Sequence, residues 1–421
     1  MPATLTEPSP APAVEQSPST PEGEEEHPLA RLSPEQLDQL GRELDAIHDQ
    51  VFAELGERDA RYIRGTIRLH RHLVLGARLA LLGSRRRPLW LLGTAALSLA
   101  KVLENMEIGH NVMHGQWDWM NDPDINSQSW DWDTASPADA WRHSHNYEHH
   151  TFTNIRGKDR DLGYEIMRID PHQHWHPIYL LQPLYNLVLM GFFEWGVALH
   201  DLNFQAIHTG EKSKAQVLGE LKAIGLKARR QIVKDYLAFP ALSAALNAAL
   251  AGRRGEGAAA DGSGQSGMQA RAQASRRAYK ATLAADFTAN IVRNVWAHSI
   301  IFCGHFPDGT YTFSAEEAEN ETRGAWYVRQ LLGAANIEGR APFHFLAGNL
   351  SFQIEHHLFP DMPSSRYAEI APRVREVCER YGLPYNTGPL RKQLGSVHRT
   401  ILRLAFPRGR PGRRQAPAPM H

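Results

Sequence analysis

Three short histidine clusters have the spacing of metal ligands in this chain of 421 residues. They are His110-x-x-x-His114, His145-x-x-x-His149-His150 and Gln353-x-x-His356-His357. Residues four positions apart share one face of a helix, so the spaced histidines of the first two clusters can reach one centre. Adjacent histidines point about 100° apart on a helix, which suits two neighbouring metal ions better than one. Two such adjacent pairs therefore predict a two-metal site, in which Gln353 stands where a histidine would be possible.

A fourth element, Asn294-x-x-x-His298, repeats the four-residue spacing near the end of the last apolar stretch. His305 follows on the same helical face if the helix lasts that long, but Gly304 argues against this. Imidazole ligands suit iron, copper, zinc and nickel alike. A carboxylate-bridged di-iron site needs Glu-x-x-His from two helices and two further glutamates. Only the motif that begins at Glu107 fits within the folded region, so the residues favour an imidazole-dominated site and leave the metal open.

Five apolar stretches accompany these clusters and are expected to be helical. They are 73–83, 88–100, 177–199, 236–251 and 281–304. Five crossings would place the first and last clusters on opposite sides of a membrane, so a shared site requires that one stretch does not cross. We assign that role to 177–199, because seven of the ten tryptophans lie between positions 117 and 195, and tryptophan is enriched at membrane boundaries. Four transmembrane helices and one interfacial helix result.

The rest of the chain divides by composition. Both ends lack large apolar residues and are expected to be disordered. Ser33 and Pro34 have the pattern of a helix start, and apolar residues follow at helical spacing. The predicted segments are a disordered tail (1–32), an amphipathic helix (33–60), a transmembrane core (61–305) with a flexible insertion (252–279), a helical cap with the third cluster (306–405) and a disordered basic tail (406–421).

Charge and cysteine content exclude other classes of protein. Lys+Arg and Asp+Glu are both 46, so the net charge is zero, which argues against a nucleic-acid partner held by bulk positive charge. The two cysteines, Cys303 and Cys378, imply neither a disulfide framework nor a cysteine-based zinc or iron–sulfur motif.

The sequences HNVMH, HNYEHH and QIEHHLFP, in this order, resemble the membrane fatty acid desaturases with three histidine boxes. The resemblance covers roughly 65–405, and the third box, which begins with Gln353, is similar to that of bacterial acyl-CoA desaturases. It implies an all-α membrane protein with four transmembrane helices in two hairpins, to which our assignment adds the interfacial helix. A cytosolic helical cap would hold the metal site. The location implied is an integral, multi-pass protein of the bacterial inner membrane, with the active site on the cytosolic side.

The same resemblance implies the chemistry. Two non-haem iron ions, dioxygen and two electrons would introduce a cis double bond into an acyl chain of a saturated acyl-CoA or another acyl lipid. Asn294 and Gln353 would be weaker, water-mediated or indirect partners of the metals. The implied metal ligands are His110, His114, His145, His149, His150, His298, His356 and His357.

The expected electron-transfer partner follows from a motif that is absent from this sequence. Some desaturases of this type carry a fused b-type cytochrome with a His-Pro-Gly-Gly motif, and no such motif occurs here, since Leu29 and Ala30 follow His27-Pro28. A separate ferredoxin or b-type cytochrome with an NAD(P)H reductase is therefore expected, together with membrane lipids.

Two other functions remain open at this point. The same site could hydroxylate or ketolate an alkane, sterol or carotenoid. A membrane metal transporter is a third hypothesis, although transporters place their ligands near the bilayer midplane, and these clusters lie beyond the apolar stretches.

Overall fold

The computed structural model describes residues 28–258 and 264–407, which are mostly helical. The α-helices are α1 (Pro34–Ala53), α2 (Glu57–Leu82), α3 (Arg87–Leu103), α4 (Asn111–Met113), α5 (Ala138–Trp141), α6 (His150–Phe152), α7 (Gln182–Gly191), α8 (Phe193–His200), α9 (Phe204–Thr209), α10 (Lys214–Gln231), α11 (Phe239–Ala258), α12 (Gly264–His305), α13 (Arg323–Gly333), α14 (Ala341–Leu346), α15 (Gln353–Leu358), α16 (Tyr367–Arg380) and α17 (Leu390–Leu404). Three π-helices join some of them, namely π1 (Glu104–His110), π2 (Arg142–His149) and π3 (Ile232–Ala238). Short 3-10 helices cover Pro28–Arg31, Asp118–Met120, Leu162–Glu165, Pro177–Leu181 and Ser364–Arg366.

Four long helices form the body of the molecule. Helix α2 packs on α3, α11 packs on α12, and α12 also packs on α3. Small side chains let these helices approach closely: Ala77 of α2 and Ala285 and Ala289 of α12 are fully buried together with Leu97 of α3. The apolar stretches of the sequence therefore do form packed helical hairpins.

The prediction of four transmembrane helices and an interfacial helix is wrong for this structure. Across residues 28–258 and 264–407, no helix combines the length and the apolar character needed to cross a membrane. Helix α3 has 17 residues, whereas a crossing needs about 20. The stretch 177–199 is divided between a 3-10 helix, α7 and α8, and α12 carries Asp286 and Arg293 among its apolar residues. The prediction of an integral, multi-pass inner-membrane protein depended on those spans, so it is wrong for the same reason.

A second body of smaller helices holds the third histidine cluster. Helix α1 packs on α13 and α16, and α13 packs on α15, around a core that includes Leu44, Tyr327, Leu358 and Val374. The only sheet within the described residues is small and parallel: β1 (Asn336–Glu338) pairs with β2 (Thr387–Pro389). A capping box at Ser33 begins α1.

Several predicted segments fall partly outside the described residues. Of the tails, 1–27 and 408–421 lie outside them, and Pro28–Arg31 forms a 3-10 helix. Within the predicted insertion 252–279, α11 continues to Ala258 and α12 begins at Gly264. Residues 259–263 lie outside the description.

The contact between α1 and α13 depends on Gly324. A Cβ atom added there would lie 1.9 Å from the backbone oxygen of Leu37, so the two helices would have to move apart. We expect Gly324→Ala to lower the free energy of unfolding by about 1–3 kcal/mol, measured by denaturant unfolding. The matched control is Gly76→Ala in α2, where an added Cβ meets nothing within 4 Å. That change should be neutral or stabilising by up to about 1 kcal/mol. Equal stability of the two variants would contradict the close approach.

Candidate metal centre

The three histidine clusters lie on three helical segments that converge. The first runs from the end of π1 to the residue after α4, the second lies on π2 and α6, and the third lies on α15. The first two clusters thus lie on or beside π-helices, which are rare and often mark functional sites. Gly109 permits this geometry in π1, because a Cβ there would lie 2.8 Å from the oxygen of Glu104 and 3.1 Å from Trp132.

The imidazole nitrogens form two groups. One ligand atom from each of four histidines, His110, His114, His145 and His356, lies within 4.8 Å of the others. A second group with the same separation contains His149, His305 and His357. The His150 ring lies between the groups, with its centroid 4.7 Å from that of His114 and 4.6 Å from that of His357. Two adjacent groups of this kind have the arrangement of a two-metal site.

The nitrogens that face the centre have no protein partner. Among the described residues, the Nε2 atoms of six histidines are buried without a hydrogen bond: His114, His145, His149, His150, His356 and His357. Buried polar atoms are normally paired, because an unpaired one costs about 1–3 kcal/mol. Burial and the neighbouring imidazoles also lower the pKa of His110 to about 3 and that of His356 well below its ordinary value. Neutral imidazoles are the form that binds metals, so this donor set fits metal ions.

Other residues orient the rings through the second nitrogen. Each of five Nδ1 atoms has a partner at hydrogen-bond distance: Asn111 for His110 (3.1 Å), Asp161 for His145 (3.0 Å), Asp159 for His149 (3.0 Å), Tyr367 for His356 (3.2 Å) and Gln330 for His357 (3.1 Å). Burial alone would raise the pKa of Asp161, but hydrogen bonds from His145 and His200 hold it well below its ordinary value. Such outer partners fix ring orientation and tautomer in metal sites. The sequence analysis missed them all.

The structure places Asn294 and His298 apart from the two groups. The His298 ring stacks on Phe302, with centroids 3.7 Å apart, and its Nε2 lies 3.0 Å from Oδ1 of Asn186. The side-chain oxygen of Asn294 accepts hydrogen bonds from Arg293.

His305, which the sequence analysis left in doubt, lies in the second group instead. Helix α12 continues through Gly304, and a Cβ at that glycine would lie 2.8 Å from the Gln353 side chain. The glycine therefore makes room for Gln353, whose Nε2 is 3.1 Å from Nε2 of His305. The available signal was the spacing: His298 and His305 are seven residues apart and so share one helical face.

One cavity borders the centre, and a second cavity shares residues with the first. The narrow one, of about 50 Å³, borders His110 and His145, and its lining combines apolar side chains such as Trp141, Phe193 and Val197 with polar ones such as Glu194 and Asp201. A wide cavity of about 1270 Å³ shares Trp132 and Thr134 with the narrow one. The basic side chains that line the wide cavity are His70, Arg71, Lys227, Arg229, Arg230 and Lys234. The arrangement suits a ligand with a long apolar part and an anionic part.

A family model described as fatty acid desaturase matches residues 88–389, well over half of the chain. This protein belongs to the fatty acid desaturase family. It is therefore an oxidoreductase, and the predicted family and enzyme class are confirmed.

Individual relatives agree with this assignment. The desaturase is 44% identical, over 379 residues, to the NADPH-dependent stearoyl-CoA 9-desaturase of Mycobacterium tuberculosis, which covers 90% of this chain and 82% of the relative. It is 25% identical over 312 residues to the sn-1 linoleoyl-lipid 6-desaturase of Synechocystis, covering 72% of this chain and 76% of that one. Human fatty acid desaturase 3 matches a shorter region, at 36% identity over 86 residues, 20% of this chain and 19% of the human one. No solved structure matches the chain.

The contact between Asp159 and His149 provides a test of ring orientation in this desaturase. Both carboxylate oxygens lie 3.0 Å from His149 Nδ1, and one also accepts the backbone N–H of Asn154 at 2.7 Å. An asparagine has the same shape but only one acceptor oxygen. We expect Asp159→Asn to lower metal affinity by about 10–100-fold, measured by competition with a chelator. Asp124→Asn, at an exposed carboxylate, is the control and should bind metal like the wild type. Unchanged affinity of the Asp159 variant would contradict the orienting role.

Proposed function

We propose that this desaturase introduces a cis double bond into the acyl chain of a saturated acyl-CoA, using two iron ions, dioxygen and two electrons. The observation that carries the proposal is the convergence of two imidazole groups beside a narrow cavity whose exposed surface is mostly apolar. The 44% identity to a stearoyl-CoA 9-desaturase supports an 18-carbon saturated acyl-CoA as the substrate and position 9 as the site of the double bond.

The two groups are the ligand set that we propose. His110, His114, His145 and His356 would hold one iron, and His149, His305 and His357 the other, with His150 between them. When bound, the iron pair supplies the oxidising power by which one dioxygen, two electrons, two protons and two hydrogens of the acyl chain become two water molecules.

The protein's own part is to bind and orient the chain. The side chains of Trp141, Phe193 and Val197 would hold the methylene groups in the narrow cavity beside His110 and His145. A chain held in this way is kept close to the metal ligands and away from water. The arginine side chains of the wide cavity would bind the phosphates of coenzyme A, since arginine is a usual partner of phosphate.

NADPH is proposed as the source of the electrons. The Mycobacterium tuberculosis relative is named as NADPH-dependent. A separate ferredoxin or b-type cytochrome with its reductase would carry the electrons to the metal centre.

The test is the lipid composition of a host that lacks its own 9-desaturase and expresses this chain with a matching reductase. We expect an 18-carbon monounsaturated acyl chain with the double bond at position 9, mapped by mass spectrometry. The matched variant His357→Ala should give none. Hydroxylated or oxidised acyl products without the alkene would overturn desaturation in favour of the hydroxylase or ketolase hypothesis.

A further inference from the structure

Glu104 is a buried carboxylate beside the residues that the two cavities share. Glu104 lines the wide cavity, the next residue, Asn105, lines the narrow one, and Trp132 and Thr134 line both. The residue is only 8% exposed. It begins π1, which ends at His110, so it lies within two helical turns of a proposed metal ligand. The metal chemistry makes no use of this carboxylate.

One oxygen of Glu104 has no partner. Oε1 accepts the backbone N–H of Asp133 at 2.9 Å, whereas Oε2 is buried without a hydrogen bond among the described residues. The nearby cations are already engaged, since Lys234 pairs with the Asp133 carboxylate and Arg293 with Glu194. Burial and the neighbouring Asp133 carboxylate raise the pKa of Glu104 to about 7. Above that pH the group is a carboxylate, and a buried carboxylate oxygen without a partner favours a ligand that brings a hydrogen-bond donor.

An acyl-CoA has one donor at the right place. Next to the thioester, the pantetheine arm carries an amide N–H two carbons from the sulfur, and this end of the molecule must pass from the wide cavity into the narrow one. The thioester itself offers only acceptors. The donor that Glu104 lacks is therefore the donor that the substrate presents at this junction.

We propose that Glu104 Oε2 accepts the first amide N–H of the pantetheine arm and so fixes how far the acyl chain reaches toward the histidines. This inference rests on the proposed function, which it extends with a substrate-positioning residue. Because one end of the substrate is then held at a constant distance from His110, the carbon that faces the metal centre is determined. Glu104 thereby distinguishes pantetheine thioesters from acyl groups that lack the amide.

The experiment compares two ligands on two proteins. Dissociation constants of stearoyl-CoA and of the stearoyl thioester of 2-mercaptoethanol, which has no amide, are measured without oxygen for the wild type and for Glu104→Gln. The variant keeps the shape of the side chain but has one acceptor oxygen, which the backbone N–H of Asp133 already occupies, so its NH2 group faces the amide N–H. We expect about tenfold or more weaker binding of stearoyl-CoA, and no change for the truncated thioester. The control Glu57→Gln, at an exposed carboxylate of α2, should change neither.

Equal losses for both ligands would show a merely structural role and overturn the inference, as would no loss for either. A second measurement is product position: Glu104→Gln should yield a mixture of double-bond positions where the wild type yields one. Unchanged position with unchanged affinity also overturns it. Failure of the proposed function has a different signature, since the wild type would then form no alkene whatever the dissociation constants show.

Discussion

The variant His305→Gln is expected to lose desaturation and about one of the two proposed irons, whereas His298→Gln keeps both. His305 supplies one of the three imidazoles in the second nitrogen group, with ring centroids 4.8 Å from His149 and 4.9 Å from His357. Removing one of three nitrogen ligands leaves too few to retain the ion against competing chelators. Iron per chain, measured by elemental analysis after dialysis, should fall from about two to about one.

The matched substitution at His298 isolates the ligand role from the general effect of losing a buried imidazole. His298 is also fully buried, but its Nε2 bonds to Asn186 and its ring stacks on Phe302. A glutamine can still bond to Asn186, so the cost should be stability rather than iron. Loss of iron from the His298 variant, with retention in the His305 variant, would restore the ligand set expected from the sequence motif.

The comparison of these two histidines shows how far the sequence could go. Both lie on one face of one helix, and helical periodicity alone cannot choose between positions one or two turns along it. The choice depends on whether the helix continues past Gly304, which tertiary packing decides. Here the glycine is a contact site for Gln353 and not a helix end. Because the sequence does not show the packing partner of Gly304, the glycine made the continuation of the helix to His305 doubtful.

The carboxylates that orient the rings were missed for a related reason. Asp159 follows its partner His149 by ten residues, which no helical spacing connects. The chain returns through Asn154 and Gly157, both in the left-handed region with φ of 58° and 76°. Asparagine and glycine are the residues that most readily adopt this conformation. In a sequence, such a pair is typical of a turn. Which side chain the turn places beside the histidines depends on contacts between distant residues.

Apolar stretches correctly indicated where the long helices lie, but not their surroundings. The spans were assigned from apolar runs, although charged residues lie within or beside those runs. In the structure those residues join into one buried ionic cluster. It connects α2, α3, π3 and α12 through Arg78, Lys101, Asp235 and Asp286. The pairings are between residues more than a hundred positions apart, so no local pattern could reveal them.

Asp235 is the centre of that cluster, and its removal should be the largest single loss of stability predicted here. Its side chain is fully buried and accepts hydrogen bonds from Arg78 at 3.0 Å and from Lys101 at 2.8 Å. Burial alone would raise the pKa of Asp235, but the ammonium group of Lys101 lowers it, so the carboxylate is charged. The variant Asp235→Leu leaves a buried lysine with only a 3.4 Å contact to Asp133. Breaking one side of a buried ion pair costs about 3–5 kcal/mol.

Denaturant unfolding of the metal-loaded protein measures this loss. Two further variants test whether the broken ion pair is its cause. Asp38→Ala removes an exposed ion pair with Arg42 and should cost less than about 1 kcal/mol. The double variant Asp235→Leu with Lys101→Met also removes the buried charge of Lys101. It should recover part of the lost stability, because apolar side chains of similar size can replace a buried ion pair. The double variant could instead be less stable than Asp235→Leu by the full cost of a second core substitution. The stability lost in Asp235→Leu would then come from packing and not from the ion pair.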